Sequence, residues 1–191
     1  AARQISSEAD PVVVAATRLR TGEPSTIDVS WASNGRLVTG TVPDVFGDAV
    51  VRAEFSRMSP RFRLRAWVQL LALTLTDPTR DWTAVTIGRG RDDASVSRLG
   101  PIPAEVAAQE LGFLIDLRAR GLREALPLAA KTSFEYARAR GKGESTRTAR
   151  VEAEKAWTGS RQVPGENAAW PNPLVWGDNS PFDVPVDAAA A

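Results

Sequence analysis

Residues 38–75, VTGTVPDVFGDAVVRAEFSRMSPRFRLRAWVQLLALTL, decide the fold. Leu37, Val38, Thr39 and Val42 read as a strand, and Pro43-Asp44 with Gly47-Asp48 make a turn. Residues 49–55 read as the next strand. Pro60 then opens a helix in which Phe62, Ala66, Leu70 and Leu73 share one face, with Trp67, Leu71 and Thr74 beside it. Upstream, Ile27-Asp28-Val29-Ser30-Trp31 alternates apolar and polar, as a half-buried strand does. Asn34-Gly35 after it is the strongest short hairpin signal. Three strands joined by two short turns give an antiparallel meander.

Downstream, Asp77-Pro78 ends the helix. Residues 82–87 read as a fourth strand, and the charged, glycine-rich stretch 88–100 as a mobile loop. Pro103 suits the first position of a second helix, with Val106, Ala107, Leu111, Leu114 and Ile115 on its apolar face and Gly121 as its cap. Leu126-Pro127-Leu128 is read as extended. Thr132-x-x-Glu135 has the form of a capping box and starts a helix at Ser133, which Gly141-Lys142-Gly143 breaks. Thr146 caps a further helix running to about Trp157. The expected fold class is α/β, a mixed and mainly antiparallel sheet flanked by helices. Residues 1–26 are expected to be a linker or N-terminal extension, 27–158 the α/β domain, and 159–191 an irregular tail packed on it, frayed at 188–191.

The chain has 191 residues, 43% of them hydrophobic, and a formal net charge of +1. Neither nucleic acid nor membrane is implied by overall charge. All of the 24 basic residues are arginine except Lys131, Lys142 and Lys155. A GC-rich genome is the plainer reading of that bias; the functional reading is phosphate contact by planar, always-charged forks. Cysteine and histidine are absent. Disulfides, thiolate zinc sites, Cys nucleophiles and Ser-His-Asp triads are therefore excluded. No apolar run reaches the roughly 20 residues of a membrane-spanning helix. The expected location is cytoplasmic, with no cofactor and no membrane partner. The start AARQISSEAD, without Met, suggests a domain cut from a longer chain.

A metal-dependent nuclease needs an acid at the end of one strand, an acid on the next, and a lysine two residues later to orient or activate water. Residues two apart on a strand share a face. The sequence offers Pro43-Asp44 and then Glu54-Phe55-Ser56. Ser56 cannot supply the positive charge, and no lysine precedes residue 131. Catalytic residues and metal ligands are accordingly expected to be none, with Pro43, Asp44, Glu54 and Ser56 as degenerate positions. Arg57, Arg61, Arg63 and Arg65 surround the strand-to-helix junction. Arginine is electrostatically unfavourable at a helix N-terminus, so these four are candidates for contact with DNA or a partner. Gly88-Arg89-Gly90-Arg91-Asp92-Asp93 only superficially resembles a phosphate nest, lacking the Gly-Lys-Ser/Thr of a P-loop. Trp157, Trp170 and Trp176 in the tail suit either an interface or attachment to their own domain.

The chain resembles the C-terminal region of the RecC family, the gamma subunit of the RecBCD helicase–nuclease (exodeoxyribonuclease V). The resemblance lies in Leu37-x-x-Gly40-x-Val42-Pro43-x-Val45, Val51-Arg52-x-Glu54, and Leu64-Arg65-x-Trp67-Val68-x-x-Leu71-Ala72-Leu73. It continues in residues 107–114 before Gly121-Leu122, Pro127-Leu128-x-x-x-x-Ser133, residues 153–157 and Gly165-Glu166, over about residues 27–182. It implies a restriction-endonuclease-like PD-(D/E)xK fold that has lost its metal ligands, with the first acid position falling on Pro43. It also implies a scaffold for RecB-like and RecD-like subunits that handles double-stranded DNA ends and single strands. The alternatives are a divergent Mg²⁺-dependent nuclease using Asp44 and Glu54, or a protein-interaction module without DNA contact.

Overall fold

The structure, a computed structural model, describes residues 2–33, 35–126, 128–177 and 179–182. It forms two compact units, Ala1–Leu117 and Arg118–Ala191.

The first unit runs α1 (Ala2–Leu19), β1 (Ser25–Ser33), β2 (Arg36–Phe46), β3 (Ala49–Arg57), α2 (Pro60–Thr76), β4 (Thr83–Arg89), β5 (Ala94–Leu99) and the start of α3 (Ala104–Gly121). The five strands form one sheet in the order β1-β2-β3-β4-β5. Only β3 and β4 are parallel, joined by the α2 crossover. A mixed, mainly antiparallel sheet flanked by helices fits the expected nuclease-like α/β fold.

Alternation along β3 and β4 divides the core between the two faces. Val50 and Ala84 pack with Ala66, Leu70 and Leu73 of α2 and with Val29, Val42, Val45 and Trp82. Val51, Val85 and Ile87 pack with Val12 and Ala16 of α1 and with Phe46. Behind α2, Leu71 meets Ala107 and Leu111 of α3, with Trp31, Leu114 and Ile115 closing the cluster. Val106, expected on that face, is exposed. Helix α2 begins where Ser59, in extended conformation, accepts the Arg61 N–H on its hydroxyl with Pro60 following. It ends at Asp77, whose carbonyl accepts the buried Trp82 Nε1–H at 2.9 Å.

Several expectations change. Residues 1–26, read as a linker or extension, hold α1, whose Val12 and Ala16 are core residues. The stretch 88–100 is not a loop throughout. After the turn closed by Gly90 N–H donating to Asp93 O, residues 94–99 pair with β4 as an edge strand. Pro103 stands just before α3 rather than inside it, its carbonyl accepting from Ala107 N. The tight turn expected at Asn34-Gly35 lies partly outside the described residues, although Ser33 pairs with Arg36 across it.

The second unit contains α4 (Ala130–Gly141) and α5 (Thr146–Thr158), a 3₁₀ turn Glu166–Ala168 and the short α6 (Asn172–Trp176). Ala149, Ala153 and Ala156 are buried on one stripe of α5, where small side chains let backbones approach closely. Ser145, not Thr146, caps α5, its Oγ accepting from Thr148 N at 3.1 Å. No capping box forms at Thr132 and Glu135. Helix α4 starts three residues earlier than Ser133, and Glu135 instead pairs with Arg138. The cap comes from far along the chain. The Glu166 carboxylate accepts from Lys131 N at 3.0 Å and Thr132 N at 2.7 Å. It thereby satisfies two orphan N–H donors and places negative charge at a helix N-terminus. Gly165 makes this possible, since a Cβ there would lie 2.1 Å from Trp157 O. The expected extended Leu126-Pro127-Leu128 and the frayed 188–191 fall partly or wholly outside the described residues.

Candidate functional site

Pro43, Asp44, Glu54 and Ser56, the positions expected to be degenerate, lie on β2 and β3 where those strands part. The β2–β3 ladder covers Phe46↔Ala49 and Val45↔Val50 and, among the described residues, goes no further. On its other side β2 pairs Val45 with Ser25 but Val42 with Ile27, so Pro43 and Asp44 together oppose a single residue. This is a bulge, a feature that bends a strand and re-aims side chains. Pro43 has no N–H to give the ladder. Asp44 sits at φ 60, in the left-handed region that aspartate tolerates better than most residues.

Arg52, Glu54 and Ser56 alternate toward the α2 face of β3. The Asp44 carboxylate stands 3.9 Å from Arg52 Nη2. Arg52 Nε donates to Gln69 Oε1 of α2 at 3.2 Å. Glu54 Oε1 accepts from Arg65 Nη1 of α2 at 3.4 Å. The structure thus brings the two acids to one face, each beside a guanidinium. The Ser56 hydroxyl reaches only the adjacent Arg57 carbonyl, at 3.5 Å. Among the described residues no group of three or more His, Cys, Asp or Glu could hold a metal ion. The two carboxylates on this face, Asp44 and Glu54, each stand beside a guanidinium rather than beside each other's metal-binding partners.

The four candidate contact arginines do not form one patch. Arg61 and Arg65, with the exposed Leu64 and Val68 between and after them, make an outward stripe at helical spacing along the start of α2. Arg63 is half-buried and engaged within the structure. Arg57 lies elsewhere: it lines a cavity with Pro11 of α1, Arg89 and Arg91. Arg52 and Gln69 were missed by sequence reasoning. The period of two that pairs Glu54 with position 56 also pairs it with Arg52, and that was the available signal.

Comparison with known proteins agrees with this geometry. Residues 1–141 match the family model described as the RecC C-terminal domain. The chain belongs to that family. The "RecBCD enzyme subunit RecC" of Mycobacterium tuberculosis (strain ATCC 25618 / H37Rv) is similar to it, 33% identical over 184 residues, which cover 96% of the chain and 16% of the relative. The RecC subunit of Mycolicibacterium smegmatis is 37% identical over 123 residues, covering 64% of the chain and 11% of the relative. The chain thus spans a small part of the length of the RecC relatives it matches. Among the described residues, no helix of this RecC-family chain is long and apolar enough to cross a membrane.

Proposed function

We propose that this chain is a non-catalytic, nuclease-like part of a RecC-type subunit. It scaffolds RecB-like and RecD-like partners and guides DNA in a helicase–nuclease complex of double-strand-break repair and homologous recombination. Its ligands are double-stranded DNA ends and the single strands drawn from them, and its setting is the cytoplasm. The observation that carries the reading is the pairing of both cleft acids with arginine. Asp44 faces Arg52 and Glu54 faces Arg65, while serine stands at position 56. A divalent cation entering here meets two guanidinium groups already beside its carboxylates, and like charges at such distances repel. No lysine precedes residue 131, and serine stands at position 56 where the nuclease pattern has its lysine. With the two acids neutralised by Arg52 and Arg65, the exposed Arg61 at the start of α2 leaves the rim of the cleft positive. That charge suits the sugar–phosphate backbone, which is held mainly by arginine and lysine.

The test is a labelled forked DNA incubated with the 191-residue chain, with and without Mg²⁺, scored for both binding and cleavage. Salt-sensitive binding without cleavage is expected. Replacing Arg61 and Arg65 by glutamine weakens that binding and lowers its salt dependence. Mg²⁺-dependent cleavage abolished by Glu54→Ala would overturn the non-catalytic reading.

A further inference from the structure

The last described residues of the chain are held in a groove of the second unit. Arg150 of α5 makes two contacts to one of them. Its Nη2 donates to Phe182 O at 3.2 Å, and its guanidinium lies 5.6 Å from the centre of the Phe182 ring. Glu154, one turn on, accepts from Arg150 Nε at 3.0 Å and orients the guanidinium. The Phe182 N–H donates to Ser180 Oγ at 3.2 Å, which turns the segment at Pro181. Pro181 itself is buried, lining one cavity with Thr132, Ser133 and Tyr136 of α4 and Ala153 of α5. A proline brings a fixed φ and no N–H to desolvate, so it loses little freedom on docking. A cation over an aromatic face adds an attraction that grows as water is excluded.

The segment does not fill its seat. Phe182 borders two cavities, one of about 160 Å³ shared with Pro181 and one of about 410 Å³ shared with Glu154, Trp157 and Thr158 of α5. Protein interiors are close-packed, and side chains beside empty space forgo dispersion contacts. Thr132, in the wall of the smaller cavity, keeps a buried hydroxyl without a partner among the described residues, which weakens the seat further. The contacts that are made are those by which grooves recognise extended peptides: a main-chain carbonyl read by arginine, a ring under the same guanidinium, and a proline between two helices. We propose that the α4–α5 groove recognises an extended proline-aromatic segment and is filled here by residues 180–182 of the chain itself. The segment acts as a strap. Its tether gives it a high effective concentration, and a Pro-Phe segment of another protein takes its place when the strap lifts. The groove needs neither DNA nor the β2–β3 cleft for this role.

The experiment compares the 191-residue chain with its P181G/F182A variant, in which the groove is emptied. The probe is the peptide acetyl-Asn-Ser-Pro-Phe-amide, which copies residues 179–182. Binding is read by NMR from the indole N–H of Trp157, which borders the larger cavity. The emptied variant is expected to bind the peptide about tenfold more tightly than the unmodified chain, whose strap competes at a roughly millimolar effective concentration. Adding R150Q is expected to weaken that binding about tenfold, because the carbonyl and the ring lose their shared partner. An emptied variant with an unchanged thermal melt that binds no peptide would overturn recognition by the groove. Equal affinity for both chains would sink the strap, and equal affinity for a Pro-Ala peptide would remove the role of the ring. If the emptied variant melts lower, a nitroxide on Asn179→Cys follows the strap instead, in a chain that has no cysteine of its own. Its mobility is expected to rise with R150Q; an unchanged mobility means that Arg150 does not hold the segment and overturns the proposal.

Discussion

At the scale of single residues, buried polar groups carry the sharpest expectations. Glu166 is 7% exposed and holds two backbone N–H groups of α4. Glu166→Ala leaves both donors unsatisfied and is expected to destabilise the second unit by about 2–4 kcal/mol in thermal unfolding. Glu166→Gln retains an acceptor and costs about half of that. Equal, negligible losses for both variants would show that water replaces the cap. At the end of α2, the Thr79 hydroxyl and backbone N–H donate to Asp77, with Arg80 adding a weaker attraction, and hold its carboxyl below the usual carboxylate range. A folded pKa below the unfolded one contributes stability above the unfolded value of about 3.9, lost as pH falls through the folded value. Thr79→Val is expected to raise the Asp77 pKa, read by NMR titration of its carboxyl carbon. An unmoved titration would assign the shift to the backbone donor alone. Neither residue's partner was legible in the sequence for Glu166, because 34 and 35 residues separate it from the N–H groups it caps. The local Thr132-x-x-Glu135 pattern offered a nearer, wrong answer.

At the scale of elements, the meander and α2 were legible because their signals are local. Period-two alternation, Ser59-Pro60 at a helix start and Asp77-Pro78 at its end need no distant partner. Strand β5 was not legible. Its sequence Ala-Ser-Val-Ser-Arg-Leu has one half covered and the other at an edge, and the glycines and charges before it read as a loop. Helix α1 was hidden by Pro11 inside it and by a narrow apolar stripe that only the sheet completes. The candidate site was legible in its acids but not in how they pair, since Asp44 on the β2 bulge meets Arg52 of β3 and Glu54 meets Arg65 of α2. Glycine at position 88 has a role that position 40 lacks. Gly88→Val pushes against the backbone of β3 and is expected to cost about 1–3 kcal/mol in denaturant unfolding. Gly40→Ala enters open space and is expected to be neutral or slightly stabilising. A Gly88→Val protein as stable as Gly40→Ala would show that the β3–β4 approach is not tight.

At the scale of the whole molecule, function and connectivity meet at one pair of strands. The β3–β4 pair carries Glu54 on one strand and an arginine at the end of each, Arg57 and Arg89. Its parallel register matches Ala49 with Thr83, so the chain must complete α2 before the ladder can close. Hairpin β1–β2 needs no such detour. Distant pairings wait for loop closure to be offset, and topologies rich in them fold slowly. The time order of folding is therefore written into this connectivity: ribbon first, centre of the sheet last. Val85→Ala is expected to accelerate unfolding while leaving refolding near the unmodified rate, whereas Val29→Ala slows refolding. Stopped-flow fluorescence reads both limbs through the buried Trp82, and a refolding rate lowered equally by the two substitutions would refute the order. A newly made chain thus holds these two strand ends apart until the last step, and Arg57 and Arg89 become neighbours only in a molecule that has finished folding.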